Sequence, residues 1–208
     1  MTQNVLIFNN QTVAPVQFIL YLSDPQQAVQ TAVVWQQMFA PPKVPAPLTW
    51  TDDWSATFAT FADDILTPVE LKPTFAGQRW QIALVDEQQQ LLEAGGAPPD
   101  YVEIANTSGK RANAGIGLSG SGAVYVRDLL SNAMAGFKLT SLDYWVALPA
   151  LPVQSGQIID PSQFLMDPVR LSGPVAATLT LTGPPLQITV SHTVGEPAAL
   201  LRAARLLK

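Results

Sequence analysis

The sequence predicts an all-β protein: a single-domain antiparallel β-sandwich over residues 1–195, followed by a short amphipathic, basic α-helix over 196–208. Three observations carry this reading. Apolar residues recur mostly with period two, the spacing of a half-buried strand. Turn-forming residues interrupt them at roughly 8–15-residue intervals, the punctuation of a sandwich or barrel. The breaks are spread evenly, so neither a domain linker nor a convincing internal repeat stands out.

The elements follow in order. Val5-Leu-Ile-Phe8 leads through Asn9-Asn-Gln-Thr12, a turn signal, into Val16-Gln-Phe-Ile-Leu-Tyr-Leu22, a hairpin whose second strand is apolar on both faces. Residues 32–39 are apolar and β-rich. Pro41, Pro42, Pro45 and Pro47 then remove ladder donors and predict an extended loop. Further strands are expected at 48–54, 55–61, 69–72, 80–85, 101–105, 115–118, 123–127, 144–148 and 157–159, with 88–94 readable as strand or helical turn. Residues 175–182 and 186–194 flank Gly183-Pro-Pro185 as a closing strand–turn–strand. Only the tail changes period. Pro197 suits a first helical turn, and Leu200, Ala203, Ala204 and Leu207 make one apolar face. Arg202, Arg205 and Lys208 lie toward the end that the helix dipole makes favourable for cations. So short a helix needs a surface to dock on, either its own sandwich or an acidic neighbouring copy.

Composition excludes several classes. The chain has 208 residues, of which 48% are hydrophobic and only 13% charged, with a net charge of −5. That balance disfavours nucleic acid and acidic membrane surfaces. With no cysteine and one histidine, His192, there is no disulfide, no thiolate site and no two-histidine metal site within one chain. No cofactor is expected. No uninterrupted apolar run reaches the length of a membrane-spanning helix. The first ten residues lack the basic and apolar regions of a secretory leader, so a cytoplasmic location is expected, with signal-independent release open. The charge is uneven: Lys43 alone faces Asp24, Asp52, Asp53, Asp63, Asp64 and Glu70, while the tail is basic.

Asn113-Ala-Gly-Ile-Gly-Leu-Ser-Gly-Ser-Gly-Ala-Val-Tyr-Val126, then Tyr144-Trp-Val-Ala-Leu148 and Gly156-Gln-Ile-Ile-Asp160, resemble the rhizosphere-induced RhiA family of small bacterial proteins. So do the opening strand ending in Phe8-Asn-Asn10, the segment Trp50-Thr-Asp-Asp-Trp54 after Trp35, and the Thr-rich closing strand. The likeness spans most of 4–194; the Pro-rich stretch at 41–47 and the tail helix read as additions. It implies a β-rich single domain and quorum- or environment-regulated expression. It implies no enzyme activity and supplies no catalytic residues.

Candidate chemistry is sparse. Gly115-Ile-Gly-Leu-Ser-Gly120 matches G-x-G-x-x-G by letter, but a strand-like Ala123-Val-Tyr-Val126 follows instead of the helix that a dinucleotide site needs. It reads as a tightly packed or bulged strand where only glycine fits. Asp52-Asp53 and Asp63-Asp64 read as solvated turn residues; convergence into a calcium site or a glycosidase pair is the other reading. His192 sits in the closing strand with no nucleophile elbow to serve, so no catalytic residue is expected and a hydrolase has no visible nucleophile–base pair. Trp35, Trp80 and Trp145 read as core; Trp50 and Trp54 are the expected exposed indoles. Seventeen glutamines give an uncharged, hydrogen-bonding surface that permits self-association.

The expected function is a non-enzymatic, self-assembling structural or interaction protein whose partners are copies of itself. Arg202, Arg205 and Lys208 would meet the acidic surface of Asp52, Asp53, Asp63 and Asp64. The alternative is a lectin- or cytolysin-like module presenting Trp50 and Trp54 to a glycan or lipid surface.

Overall fold

The computed structural model describes residues 3–24, 29–171, 175–183, 189–195 and 197–206. In chain order the elements are β1 (Gln3–Asn10), β2 (Val16–Ser23), β3 (Gln30–Ala32), β4 (Gln36–Ala40), β5 (Pro45–Thr51), β6 (Trp54–Ala62), β7 (Ile65–Pro73), β8 (Gln78–Val85) and β9 (Gln88–Gly96). They continue as β10 (Tyr101–Asn106), β11 (Ala112–Leu118), β12 (Ser121–Leu129), β13 (Met134–Lys138), β14 (Asp143–Ala147), β15 (Val169–Leu171), β16 (Ala176–Thr182), β17 (Thr189–Val194) and α1 (Pro197–Leu206). The fold is all-β with one short helix. Residues 186–188, 196, 207 and 208 of the expected closing strand and helix lie outside the described residues.

The strands form four sheets in two sandwiches. The outer sandwich joins the two ends of the chain: one sheet runs β17-β16-β1-β5 and the other β15-β14-β2-β4. The inner sandwich uses the middle: β9-β8-β10-β13 faces β7-β6-β11-β12, which β3 extends. The two repeat each other strand for strand. Even the parallel pairs, β1 with β16 and β8 with β10, fall at equivalent places, so the sheets are not wholly antiparallel. A duplication is therefore present where the sequence shows no repeat.

Alternation decides the core. Leu6 and Phe8 point from β1 onto Phe18, Leu20 and Leu22 of β2, and the Phe8 and Phe18 rings lie 4.3 Å apart. Val102, Ile104, Trp80 and Ile82 meet Ala114, Ile116, Ala56 and Phe58 in the second sandwich, and one continuous buried cluster runs through both. Trp35 joins them: it is fully buried, and its indole N–H donates to the carbonyl of Leu118 at 2.8 Å.

Three hairpins turn in two residues with positive φ, at Asp63-Asp64, Asp86-Glu87 and Ser119-Gly120. Such turns match strand twist and favour Asp and Gly. The prolines at 45 and 47 do not prevent a strand. They sit on β5, paired to Asn9 and Ile7 of β1, at a sheet edge where their missing N–H groups cost nothing. Residues 157–159 form only isolated bridges, Gln157 with Ile65 and Ile158 with Val33.

The glycine-rich run is strand β11 and a tight hairpin. A Cβ on Gly115 would stand 2.3 Å from the Tyr125 ring, and one on Gly122 would stand 1.9 Å from the Tyr125 hydroxyl oxygen. Tyr125 is fully buried across these positions, so the motif is packing, with a register shift between Ile116 and Gly117.

Candidate interaction surface

The structure separates most of the residues singled out by the sequence. Trp50 is not exposed. Only 6% of it is accessible, and its ring packs against Trp35 at 5.5 Å and Tyr144 at 5.4 Å. Trp54 is half-buried against the same core. Indole at these positions fills the seam between the sandwiches, so no aromatic platform faces solvent there.

Asp52 is structural. Its Oδ1 accepts from Asn4 Nδ2 at 2.8 Å and from the Tyr144 hydroxyl at 2.7 Å. Burial, and then this bond, push the Tyr144 phenol well above its ordinary range. Asp53 is exposed; its carboxylate accepts from the Thr51 hydroxyl and its carbonyl from the Ser119 N–H at 3.0 Å. Asp63 and Asp64 occupy an exposed hairpin tip. The two Asp pairs cap opposite ends of β6, about 30 Å apart at ~3.3 Å per residue. They form neither one acidic surface nor a shared metal or glycosidase site. Among the described residues no three His, Cys, Asp or Glu gather as metal ligands do.

Helix α1 docks on its own sandwich. Leu200, Ala203 and Ala204 pack on Val5, Ile7 and Ala176, the outer face of the β1 sheet. Gly195 sits where the chain turns into the helix; its N–H donates to Ala176 and a Cβ there would meet Leu200 at 2.8 Å. Arg202 is exposed on the outer side, while the Arg205 side chain and all of Lys208 lie outside the described residues. The described part of the apolar face is thus occupied in cis. His192 pairs through its backbone with Leu179; its side chain is also outside what is described.

A different surface stands out. Phe39 on β4 is 60% exposed, Leu151 69% and Leu165 52%. With Pro15, Val16 and Pro152 they line a groove of about 230 Å³. Its wall is rigid. The Gln17 amide fastens the 149–153 loop as a strand would, accepting from the Val153 N–H at 3.0 Å and donating to its carbonyl at 2.7 Å. Leu165 N–H donates to Leu148 O at 2.9 Å and Ala150 N–H to Gln163 O at 2.8 Å. The apolar side chains are therefore held out on ordered backbone.

The duplicated half provides an internal comparison. β12 is the counterpart of β4, and its edge is covered by β3 along Val124–Val126. Beyond β3 its register shifts against Ala112 and Ala114, and exposed Asp128 takes positive φ there. Bulges, charges and covering strands are devices that keep an edge from pairing. β4 ends its sheet as Gln-Gln-Met-Phe-Ala, with no charge, proline or register shift. A signal for this surface exists in the sequence: residues 25–42 and 144–159 contain no charged residue. It is missed because exposure of Phe39 and Leu151 depends on which strands cover them.

Among the described residues no helix is long and apolar enough to cross a membrane. No curated protein and no solved structure matches the chain. The family model of RhiA matches residues 1–193, nearly the whole described β-structure, so the chain belongs to the RhiA family.

Proposed function

We propose that the protein is a non-enzymatic interaction protein that associates with further copies of itself through the open β4 edge and the groove beside it. The observation that supports this most is the pairing of an uncharged, unprotected edge with the exposed Phe39, Leu151 and Leu165. In the other half the equivalent edge is covered by β3, a strand of the same chain. Among the described residues no strand covers β4 in this way, and a second copy offers a cover of matching character: edge to edge, apolar to apolar, without a charge to compensate. The glycan- or lipid-binding reading built on Trp50 and Trp54 loses its support, because Trp50 is buried and Trp54 half-buried.

Sedimentation and electron microscopy test the proposal. The wild-type protein should sediment as a dimer or larger at micromolar concentration. Phe39→Glu and Leu151→Glu should each shift it toward monomer while far-ultraviolet circular dichroism stays unchanged. A wild-type monomer, or variants that retain full assembly, would overturn it.

A further inference from the structure

The two halves differ by one strand. In the inner sandwich the sheet β7-β6-β11-β12 carries β3 as a fifth strand, antiparallel to β12. The counterpart sheet stops after four, at β4. The seams differ accordingly. Between β3 and β13 the Gln30 amide reaches Gly136 O at 3.4 Å. Between β4 and β5 a depression of about 390 Å³ runs along Gln36 and residues 48–51. The place that β3 fills in one half is open in the other, and β3 shows that a strand there runs antiparallel to the edge it covers.

A second β4 fits this place. Met38 and Ala40 turn toward the core, while Gln37 and Phe39 are exposed. A pairing that continues this alternation must set inward residues opposite inward ones. Two antiparallel β4 strands do so over their whole length when Met38 lies opposite its own copy and Gln37 opposite Phe39. The two Phe39 grooves then fall on the same face of the joined sheet.

Charge selects the same geometry. A twofold contact brings each residue near its own copy, so a charge close to the axis repels itself. Residues 25–42 and 144–159 hold none. The far edge of the sheet is different: β15 has three residues, and its Arg170 is bound to Asp143 at 2.6 Å. Pairing β4 with β15 of the next copy, the route to an open-ended sheet, sets that arginine against a strand without an acid.

We infer that two copies join through antiparallel β4 strands about a twofold axis at Met38, so that two four-stranded sheets become one of eight and assembly closes at two. This rests on the self-association proposed above and adds the partner strand, its direction and its register.

The chain has no cysteine, so a single introduced one reports this contact alone. Directly opposed residues of an antiparallel pair have Cα atoms roughly 4.5–5.5 Å apart, within disulfide reach. Met38→Cys should give a covalent dimer on mild oxidation, and Val69→Cys, on β7, should not. A second arm needs no cysteine. Gln37→Lys added to Phe39→Glu sets opposite charges across the axis twice, and should tighten the dimer about tenfold over Phe39→Glu alone. Circular dichroism identifies a variant that does not fold; if Met38→Cys is one, the charge pair decides. Sedimentation should return a wild-type particle of two chains. A wild-type monomer would defeat the self-association reading and this inference together. Particles larger than two, or a dimer in which folded variants lack either the cross-link or the rescue, would overturn the twofold and leave self-association standing.

Discussion

Asn10 and Asn106 close the same corner in the two halves of the molecule. Each is fully buried at the end of a strand, β1 or β10. Asn10 Nδ2 donates to Ala14 O at 2.8 Å and to Ala40 O at 2.9 Å; Asn106 Nδ2 donates to Lys110 O at 2.7 Å and to Leu129 O at 2.8 Å. Each Oδ1 accepts from the N–H and hydroxyl two residues on, at Thr12 or Ser108. One amide thus satisfies a turn and ties it to the strand across the corner. Only Asn offers two donors and an acceptor at this length.

Replacing either residue by alanine leaves the buried carbonyl of Ala40 or Leu129 and the N–H of Thr12 or Ser108 without the amide, while the hydroxyl keeps its bond to Ala14 O or Lys110 O. We expect Asn10→Ala and Asn106→Ala each to cost about 2–4 kcal/mol, at 1–3 kcal/mol for each group left without a partner and some recovered by water. Urea denaturation measures it. Because the corners are equivalent, the two losses should be of similar size; a loss below about 1 kcal/mol at either would mean that water replaces the amide there.

These corners show how much of the fold the sequence discloses. The turn after Phe8, the strand–turn rhythm, the closing Thr-rich strand and the tail helix are local, and each follows from spacing and turn chemistry. The duplication is not, because little beyond the corner asparagines is shared. The outer face of β2 carries Ile19 and Tyr21, covered by Val153, Ile159 and Phe164. The same face of β11 carries Gly115 and Gly117, and Gly115 lies under Tyr125. One backbone with two different covers yields two dissimilar strands. The Asp pairs illustrate the converse: they look alike in sequence, but one is tied to Asn4 and Tyr144 and the other is a hairpin tip. Phe39 and Leu151 are invisible for a third reason, since an apolar strand residue reads as core until its neighbours are known.

Tyr125 and Gly115 provide a test of the glycine-rich strand. Gly115→Ala drives a methyl into the ring and should cost roughly 1–3 kcal/mol, the usual range for overpacking. In a Tyr125→Ala background the same substitution should cost less, because the ring is gone and only the Val124 carbonyl oxygen, at 2.7 Å, still crowds the methyl. A double-mutant cycle by urea denaturation measures this coupling. Additive losses would show that the glycine serves the backbone and not the ring.

Removing α1 should expose the outer face of the β1 sheet. Deletion of residues 197–208 uncovers Val5, Ile7 and Ala176. At about 1.5–3 kcal/mol for each large apolar side chain returned to water, the loss should be roughly 3–6 kcal/mol. The truncated protein should bind a hydrophobic dye, while the fraction that stays folded should keep its assembly state. A folded truncation that sediments as a monomer would instead make the helix the contact between copies.

Three buried tyrosines set an alkaline limit. Burial raises the Tyr21 phenol to about 12 from an ordinary 10.0. Burial also raises Tyr125, and Tyr144 is raised by burial first and then by its bond to Asp52. A group whose folded pKa lies above its unfolded value favours the folded state while protonated. The full contribution is present below about pH 10, and it is lost as the unfolded chain, then the native protein, releases the proton. Stability should therefore hold steady through neutral pH and fall above about pH 10, by up to ~1.4 kcal/mol per pH unit for each tyrosine. Denaturation curves from pH 8 to 12 measure the slope. Tyr144→Phe should lower stability at pH 8, through the lost bond to Asp52, and make the decline above pH 10 shallower. An unchanged slope in that variant would assign the alkaline loss to Tyr21 and Tyr125 alone.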